Sequence, residues 1–223
     1  MPIQTSDVQL KVKDKSAMAY LARPANGGRG ILLLHAWWGL KPFFKLLCDR
    51  LAEQGFVVLA PDLWNGQVAK TIGEAQELTD KSDHQFSGEI IKAAEDYLLD
   101  LTNRKGQKIG VIGFSMGGDW SLKVASEIPD KVAATVLFYG AGDTDFNKVK
   151  SKVLGHFSDV DEWEDFKYVQ QMEGKMKAAG VDVQFHIYPG LAHWFMEEDR
   201  PEYEPEAAVL AWNRTVDFLK KNL

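Results

Sequence analysis

The sequence has one cysteine, Cys48, so no disulfide can form within the chain. A lone thiol in a chain of 223 residues fits a reducing compartment, and a cytoplasmic location is expected. Long hydrophobic runs are also missing. Apolar stretches such as Phe56 to Pro61 extend about six residues, whereas a membrane-spanning helix needs about 20. The first residues, MPIQTSDVQLKVKDK, hold no apolar core, so no secretory signal is expected. Basic charge is in short supply: 26 Lys and Arg stand against 32 Asp and Glu, for a formal net charge of −6. With no basic cluster, neither nucleic acid nor an anionic membrane is expected as a main partner. No repeat, low-complexity tract or Pro/Gly/Ser-rich linker interrupts the chain, and a single domain spanning residues 1–223 is expected.

What remains is an ordinary globular composition, 45% hydrophobic, with clear periodicities. Val8, Leu10 and Val12 alternate, and Met18 to Leu21 forms a second extended run, which predicts an antiparallel hairpin turning at Lys13 to Ser16. Gly30 to Leu34 is continuously apolar, as a strand buried on both faces must be. Phe44, Leu47, Leu51 and Ala52 then recur at helical spacing up to Gly55, a C-cap glycine. Strands follow at 56–60, 108–114, 132–139, 152–157 and 181–188. Helical patterns lie around Ile90 to Leu101, after Gly117-Gly118, at 167–179 and at 207–219. A hairpin followed by alternating strands and helices predicts an α/β fold with a mostly parallel central sheet and helices on both faces. Chemistry in such folds collects beyond the carboxyl ends of the strands.

Gly113-Phe114-Ser115-Met116-Gly117 occupies one such end, between the strand KIGVIGF and a helix. A serine on a sharp strand-to-helix turn presents its hydroxyl above the sheet, and the flanking glycines let strand and helix approach closely. The helix N-terminus adds N–H groups beside a developing oxyanion. Ser115 is therefore a candidate nucleophile.

A serine hydroxyl needs a base. Among the five histidines, His193 alone combines a loop beyond the last strand with a place near the C-terminus, after the nucleophile and any intervening acid. His35 follows the first core strand. His84 reads as a solvated loop residue, and His156 and His186 read as structural groups of strands. Four acids qualify as the group that orients the base: Asp143, Asp145, Asp159 and Asp161. Strand order favours the later pair, but counting does not separate Asp159 from Asp161. The oxyanion donors expected are the backbone N–H groups of Met116 and of Trp37, in the early loop His35-Ala36-Trp37-Trp38-Gly39. Trp38, Trp64, Trp163 and Trp194 fall in strand-end loops and are candidates for an apolar pocket wall; Trp120 and Trp212 read as helix core. Glu197 to Glu206 reads as a solvated acidic loop.

The segments ILLLHAWWGL, LAEQGFVVLAPDLW, GVIGFSMGG, VLGHFSDVDEW, YPGLAHWF and AAVLAWNRTVDFL together resemble the dienelactone hydrolase family, a compact branch of the α/β-hydrolases. The resemblance runs from about Gly30 to Leu219. It implies hydrolysis of carboxylic esters or lactones without metal or organic cofactor, with Ser115 as nucleophile, Asp161 as acid, His193 as base and Trp37 as second oxyanion donor. The chain departs from the founding enzymes in three ways. Ser115 replaces a cysteine, and Ala36 replaces a glutamate. The two arginines that hold a substrate carboxylate are missing: Glu197 stands at one position, and no arginine occurs from Leu51 to Asn103. With an acidic segment close after His193, a small neutral or cationic ester or lactone is the expected substrate. The chain is expected to act as a monomer or small homo-oligomer. The alternatives are a thioesterase or peptidase chemistry, or a non-catalytic ligand-binding module on the same fold.

Overall fold

The structure, a computed structural model, describes residues 2–102 and 106–223. They fall into two compact units, residues 1–107 and 108–223.

The first unit opens with β1 (Ile3–Val12) and β2 (Lys15–Pro24), paired antiparallel from Val12↔Lys15 to Ile3↔Pro24. Lys13 takes φ +53° in the turn, which is shorter than the sequence suggested because β2 already starts at Lys15. Two strands of the unit are almost wholly apolar and buried: β3 (Arg29–Leu34) and β4 (Phe56–Pro61). They run parallel to each other, and β2 joins the other side of β4 antiparallel. Helix α1 (Pro42–Glu53) starts with proline at its first position and buries Phe44, Leu47, Cys48 and Leu51. Its last turn ends at Gln54, followed by Gly55 at φ +98°, the left-handed conformation that glycine adopts without strain. Helix α2 (Ile72–Lys81) is capped by the Thr71 hydroxyl, which accepts from the Glu74 N–H at 3.2 Å. Helix α3 (His84–Thr102) is longer than its apolar stripe. His84 is exposed, as expected, but it opens this helix rather than lying in a loop.

The second unit holds β5 (Ile109–Phe114), β6 (Val132–Phe138), β7 (Lys152–Ser158) and β8 (Val183–Tyr188), paired in that order and all parallel. Every residue of β5 is buried, so both of its faces are covered. Helices α4 (Met116–Glu127), α5 (Phe166–Ala178) and α6 (Pro205–Asn222) are the crossover and closing helices. Phe114 and Phe138 stack at the ends of β5 and β6 with centroids 4.5 Å apart. Trp120 and Trp212 lie on α4 and α6 as expected, although each is only half-buried. Beyond the carboxyl ends of these parallel strands lie four loops. They begin at Ser115, Tyr139, Asp159 and Pro189, and they carry the residues considered next.

Candidate active site

Ser115 occupies the one-residue turn between β5 and α4 at φ +50°, ψ −117°, a strained conformation for a residue with a side chain. Its backbone is fixed on both sides. The N–H donates to Phe138 O at 2.9 Å, and the carbonyl accepts from Gly118 N–H at 2.7 Å. The glycine before it is a steric requirement: a Cβ on Gly113 would lie 2.0 Å from the Gly117 carbonyl oxygen. The sequence motif is thus a consequence of how closely α4 crosses the end of β5.

The Ser115 hydroxyl donates to His193 Nε2 at 2.9 Å. His193 Nδ1–H donates to Asp161 Oδ2 at 2.6 Å, and both side chains are 2% exposed. The other carboxylate oxygen of Asp161 accepts two backbone N–H groups, from Trp163 at 2.8 Å and Glu164 at 2.9 Å. Asp161 is thereby held at one oxygen and presented to the imidazole at the other. The remaining three acids do other things. Asp159 accepts from Gly190 N–H at 2.7 Å, tying the two loops together. Asp143 pairs with Lys175 at 3.1 Å, and Asp145 caps a short 3-10 turn at Phe146–Lys148.

The other histidines are engaged elsewhere. His156 is fully buried, with Tyr188 Oη 2.9 Å from Nδ1 and Thr215 Oγ1 3.0 Å from Nε2; burial holds its pKa well below the usual value. His35 is also fully buried, accepts from Leu63 N–H at 3.1 Å, and is shifted down by burial. Burial lowers His186 too, with the nearby Arg214 adding to it.

The tryptophans divide between the units. In the second, the Trp194 ring meets His193 edge-on at 4.9 Å, and Trp163 lies 5.4 Å from Trp194 with 46% of its surface exposed. In the first, Trp64 Nε1–H donates to Trp37 O at 2.8 Å, Trp37 and Trp38 pack edge-on, and Trp38 and Trp64 are buried. Among the described residues no group of three or more His, Cys, Asp or Glu is arranged to hold a metal ion.

Two residues near the site, Tyr139 and Glu164, were not singled out by the sequence, and a third, Glu197, was noted only for the arginine it replaces. Tyr139, directly after β6, is fully buried with φ +38° and packs its ring 4.8 Å from that of His193. Its hydroxyl donates to Glu197 Oε1 at 2.9 Å. Glu197 is itself fully buried, which corrects the reading of its segment as solvated: Glu198 and Asp199 face solvent, while Glu197 turns inward. Burial, and then the charge of Glu197, raise the Tyr139 hydroxyl well above its ordinary pKa, so it remains a donor at working pH. Glu164 is pushed up to about 7 by burial, against a bond from the Ala141 backbone and with added repulsion from Asp161 and Asp119. The only sequence signal for Tyr139 was its place before Gly140 at a strand end. Glu197 was marked by the resemblance as standing in place of an arginine, but nothing in the sequence signalled its burial.

Parallel strands whose carboxyl-end loops gather a serine on a strained turn, an imidazole and a carboxylate define an α/β-hydrolase. The chain belongs to the dienelactone hydrolase family, whose model matches residues 17–223. It is 34% identical over 226 residues to protein usf of Aquifex pyrophilus, covering 97% of this chain and 98% of that protein. It is 31% identical over 226 residues to an Aquifex aeolicus protein named as a carboxymethylenebutenolidase, again covering 97% and 98%. A solved structure from Klebsiella pneumoniae, named as a dienelactone hydrolase, superposes with a TM-score of 0.87 at 22% identity, covering 99% of each chain. The fold is accordingly that of a mostly parallel α/β-hydrolase sheet with an antiparallel N-terminal hairpin. The protein is an enzyme, a hydrolase of carboxylic esters or lactones. No helix among the described residues is long and apolar enough to cross a membrane.

Proposed function

We propose that the protein is a serine hydrolase of small, neutral, apolar esters or lactones that works through an acyl-enzyme on Ser115. The observation that carries this reading is the continuous hydrogen-bonded line from Ser115 Oγ through His193 to Asp161 Oδ2. In the first step Ser115 Oγ attacks the substrate carbonyl carbon while His193 Nε2 takes the hydroxyl proton. Asp161 keeps Nδ1 protonated, leaving Nε2 free to accept, and its charge stabilises the imidazolium that forms. Met116 is the first residue of α4, so its N–H precedes the helix's own hydrogen-bond ladder and suits the oxyanion. The second donor, the Trp37 N–H in the loop after β3, is proposed on sequence grounds alone. Collapse of the intermediate expels the alcohol, which takes the proton from His193. Water then repeats the sequence at the acyl carbonyl and releases the acid. In a lactone the alcohol and the acid are two ends of one product.

The pocket proposed in this unit is built from Trp163 and Trp194. The exposed Trp163 indole, tilted against the buried Trp194 that meets His193 edge-on, supports an apolar acyl or alkoxy group. Trp38 and Trp64 remain candidates from the sequence. The buried, solitary Cys48 supports a cytoplasmic location.

The test is active-site labelling with a fluorophosphonate, read by intact mass and peptide mapping. The expected result is one adduct on Ser115, absent in Ser115→Ala, together with ester turnover that falls by several orders of magnitude, on the order of 10⁶, in that variant. An adduct elsewhere, or turnover that survives the substitution, overturns the reading.

A further inference from the structure

Two loops must meet for the line of hydrogen bonds to exist: the Ser115 turn and the loop carrying His193. Tyr139 stands between them. On one side its neighbours are packed against the nucleophile turn. Phe138 O accepts from Ser115 N–H at 2.9 Å, and a Cβ on Gly140 would fall 2.1 Å from Ser115 O. Tyr139 itself is anchored to β7 by a 2.8 Å bond from its N–H to His156 O. On the other side its ring lies against His193 at 4.8 Å and against Phe195 at 5.5 Å. Its hydroxyl reaches Glu197, whose N–H donates to Trp194 O at 2.8 Å and so belongs to the turn that begins beside His193.

This side chain is held in a place it would not take spontaneously. Its φ of +38° lies where residues bearing a Cβ are uncommon. Its hydroxyl and the Glu197 carboxyl are both taken fully out of water, which is unfavourable for polar groups that are not hydrogen-bonded. A strained backbone and a buried polar pair at the same residue, next to the proposed base, form a rigid link between the two loops.

Resting on the hydrolase reading above, we propose that Tyr139 is a positioning residue: its ring, locked by the hydrogen bond from its hydroxyl to Glu197, holds the His193 imidazole in line with the Ser115 hydroxyl. It touches neither substrate nor the reacting atoms. The effect is expected in the chemical step rather than in binding, because a small displacement of a base slows proton transfer without altering the pocket.

The experiment compares wild type with Tyr139→Phe, Glu197→Gln and the double variant Tyr139→Phe/Glu197→Met, using p-nitrophenyl acetate and urea denaturation. Tyr139→Phe keeps the ring and frees it from Glu197. Its kcat is expected to fall about 10- to 100-fold with KM within about twofold, in line with the sensitivity of catalysis to sub-ångström misplacement. Glu197→Gln keeps an acceptor and should fall far less. The double variant removes the buried pair altogether, so its denaturation midpoint should recover while kcat stays low. A double variant that regains kcat along with stability overturns the proposal, since Tyr139 would then serve folding alone. So does Glu197→Gln if it is as slow as Tyr139→Phe.

A second readout needs no substrate: the low-field proton resonance of His193 Nδ1–H, identified by its loss in His193→Ala. It should broaden or vanish in Tyr139→Phe. If wild type hydrolyses no ester yet this resonance responds, the hydrolase reading fails and the link stands. If wild type is an active esterase and both resonance and kcat are unchanged in Tyr139→Phe, the link fails and the hydrolase reading stands.

Discussion

Asp159 and Gly190 are joined by a 2.7 Å hydrogen bond from the Gly190 N–H to the Asp159 carboxylate. The bond lies outside the Ser115–His193–Asp161 line, yet it ties the loop after β7, which carries Asp161, to the loop after β8, which carries His193. Gly190 sits at φ +74°, in the turn Pro189-Gly190 that starts the His193 loop. Asp159 is therefore expected to tune the distance between His193 and Asp161 from the outside. Because the site is exposed, the bond contributes on the order of 1 kcal/mol. Asp159→Ala should lower kcat/KM about three- to tenfold with a small drop in melting temperature. Asp159→Asn, which retains an acceptor oxygen, should lie between the variant and wild type. Steady-state kinetics on a neutral aryl ester reads this directly, and an Asp159→Ala enzyme with wild-type kinetics would show the bond to be incidental.

Asp161 poses the opposite case, a residue whose proposed role is electrostatic as well as geometric. One oxygen is fixed by the Trp163 and Glu164 N–H groups, and the other receives the His193 Nδ1–H at 2.6 Å. In Asp161→Asn the amide can keep the loop bonds while losing the charge and favouring the wrong imidazole tautomer. A loss of about 10⁴ in kcat is expected, with little change in KM. Circular dichroism and the denaturation midpoint should stay near wild type. A fall of less than tenfold would mean that His193 does not depend on Asp161 for its tautomer.

The parts of this architecture that were legible beforehand are those written locally. The α/β alternation follows from continuous apolar runs such as Gly30 to Leu34 and Phe56 to Ala60, which show as β3 and β4. The Ser115 turn follows from Gly113 and Gly117, whose spacing reflects a contact within a few residues. The choice between Asp159 and Asp161 was not local. Each is an acid in a turn, and they differ only in whether the side chain meets Gly190 or His193, 31 and 32 residues away. Glu197 was hidden for the same reason. Its sequence neighbours are solvated acids, whereas its own carboxylate accepts from Tyr139, 58 residues earlier. Composition describes a segment's average, whereas a buried polar pair depends on one partner in another loop.

Glu164 supplies a pH-dependent prediction. Burial raises its carboxyl from 4.5 to about 7 in the folded chain. A carboxyl raised on folding binds its proton more tightly in the folded state than in the unfolded one. Its contribution to stability is therefore fully present below about 4.5 and is lost as pH climbs to about 7. Glu164→Gln mimics the protonated form and can still accept the Ala141 N–H. The variant should be more stable than wild type by roughly 1–3 kcal/mol at pH 8, and the difference should shrink toward pH 5. Urea midpoints at the two pH values measure it. A constant difference, or one that grows on acidification, would show that Glu164 is ionised in the folded state throughout this range.

The charge of the substrate can be read from the same surroundings. Glu197 follows His193 by four residues and is buried against Tyr139, and Glu198 and Asp199 face solvent directly after it. The nearby Arg200 guanidinium lies 4.7 Å over the Trp194 ring and pairs with Glu202, so its charge is already compensated. An approaching carboxylate would meet a cluster of acidic side chains close to His193, in a protein whose formal net charge is −6. A neutral aryl ester should therefore be turned over with kcat/KM at least about tenfold above that of its carboxylated analogue at 10 mM ionic strength. The gap should narrow at 1 M, where the screening length falls from about 30 to about 3 Å. An apolar preference arising from Trp163 and Trp194 alone would leave the ratio unchanged by salt, and the two origins separate on that dependence. Faster turnover of the carboxylated ester at low salt would require a cationic subsite for the substrate and would remove the basis for a neutral one.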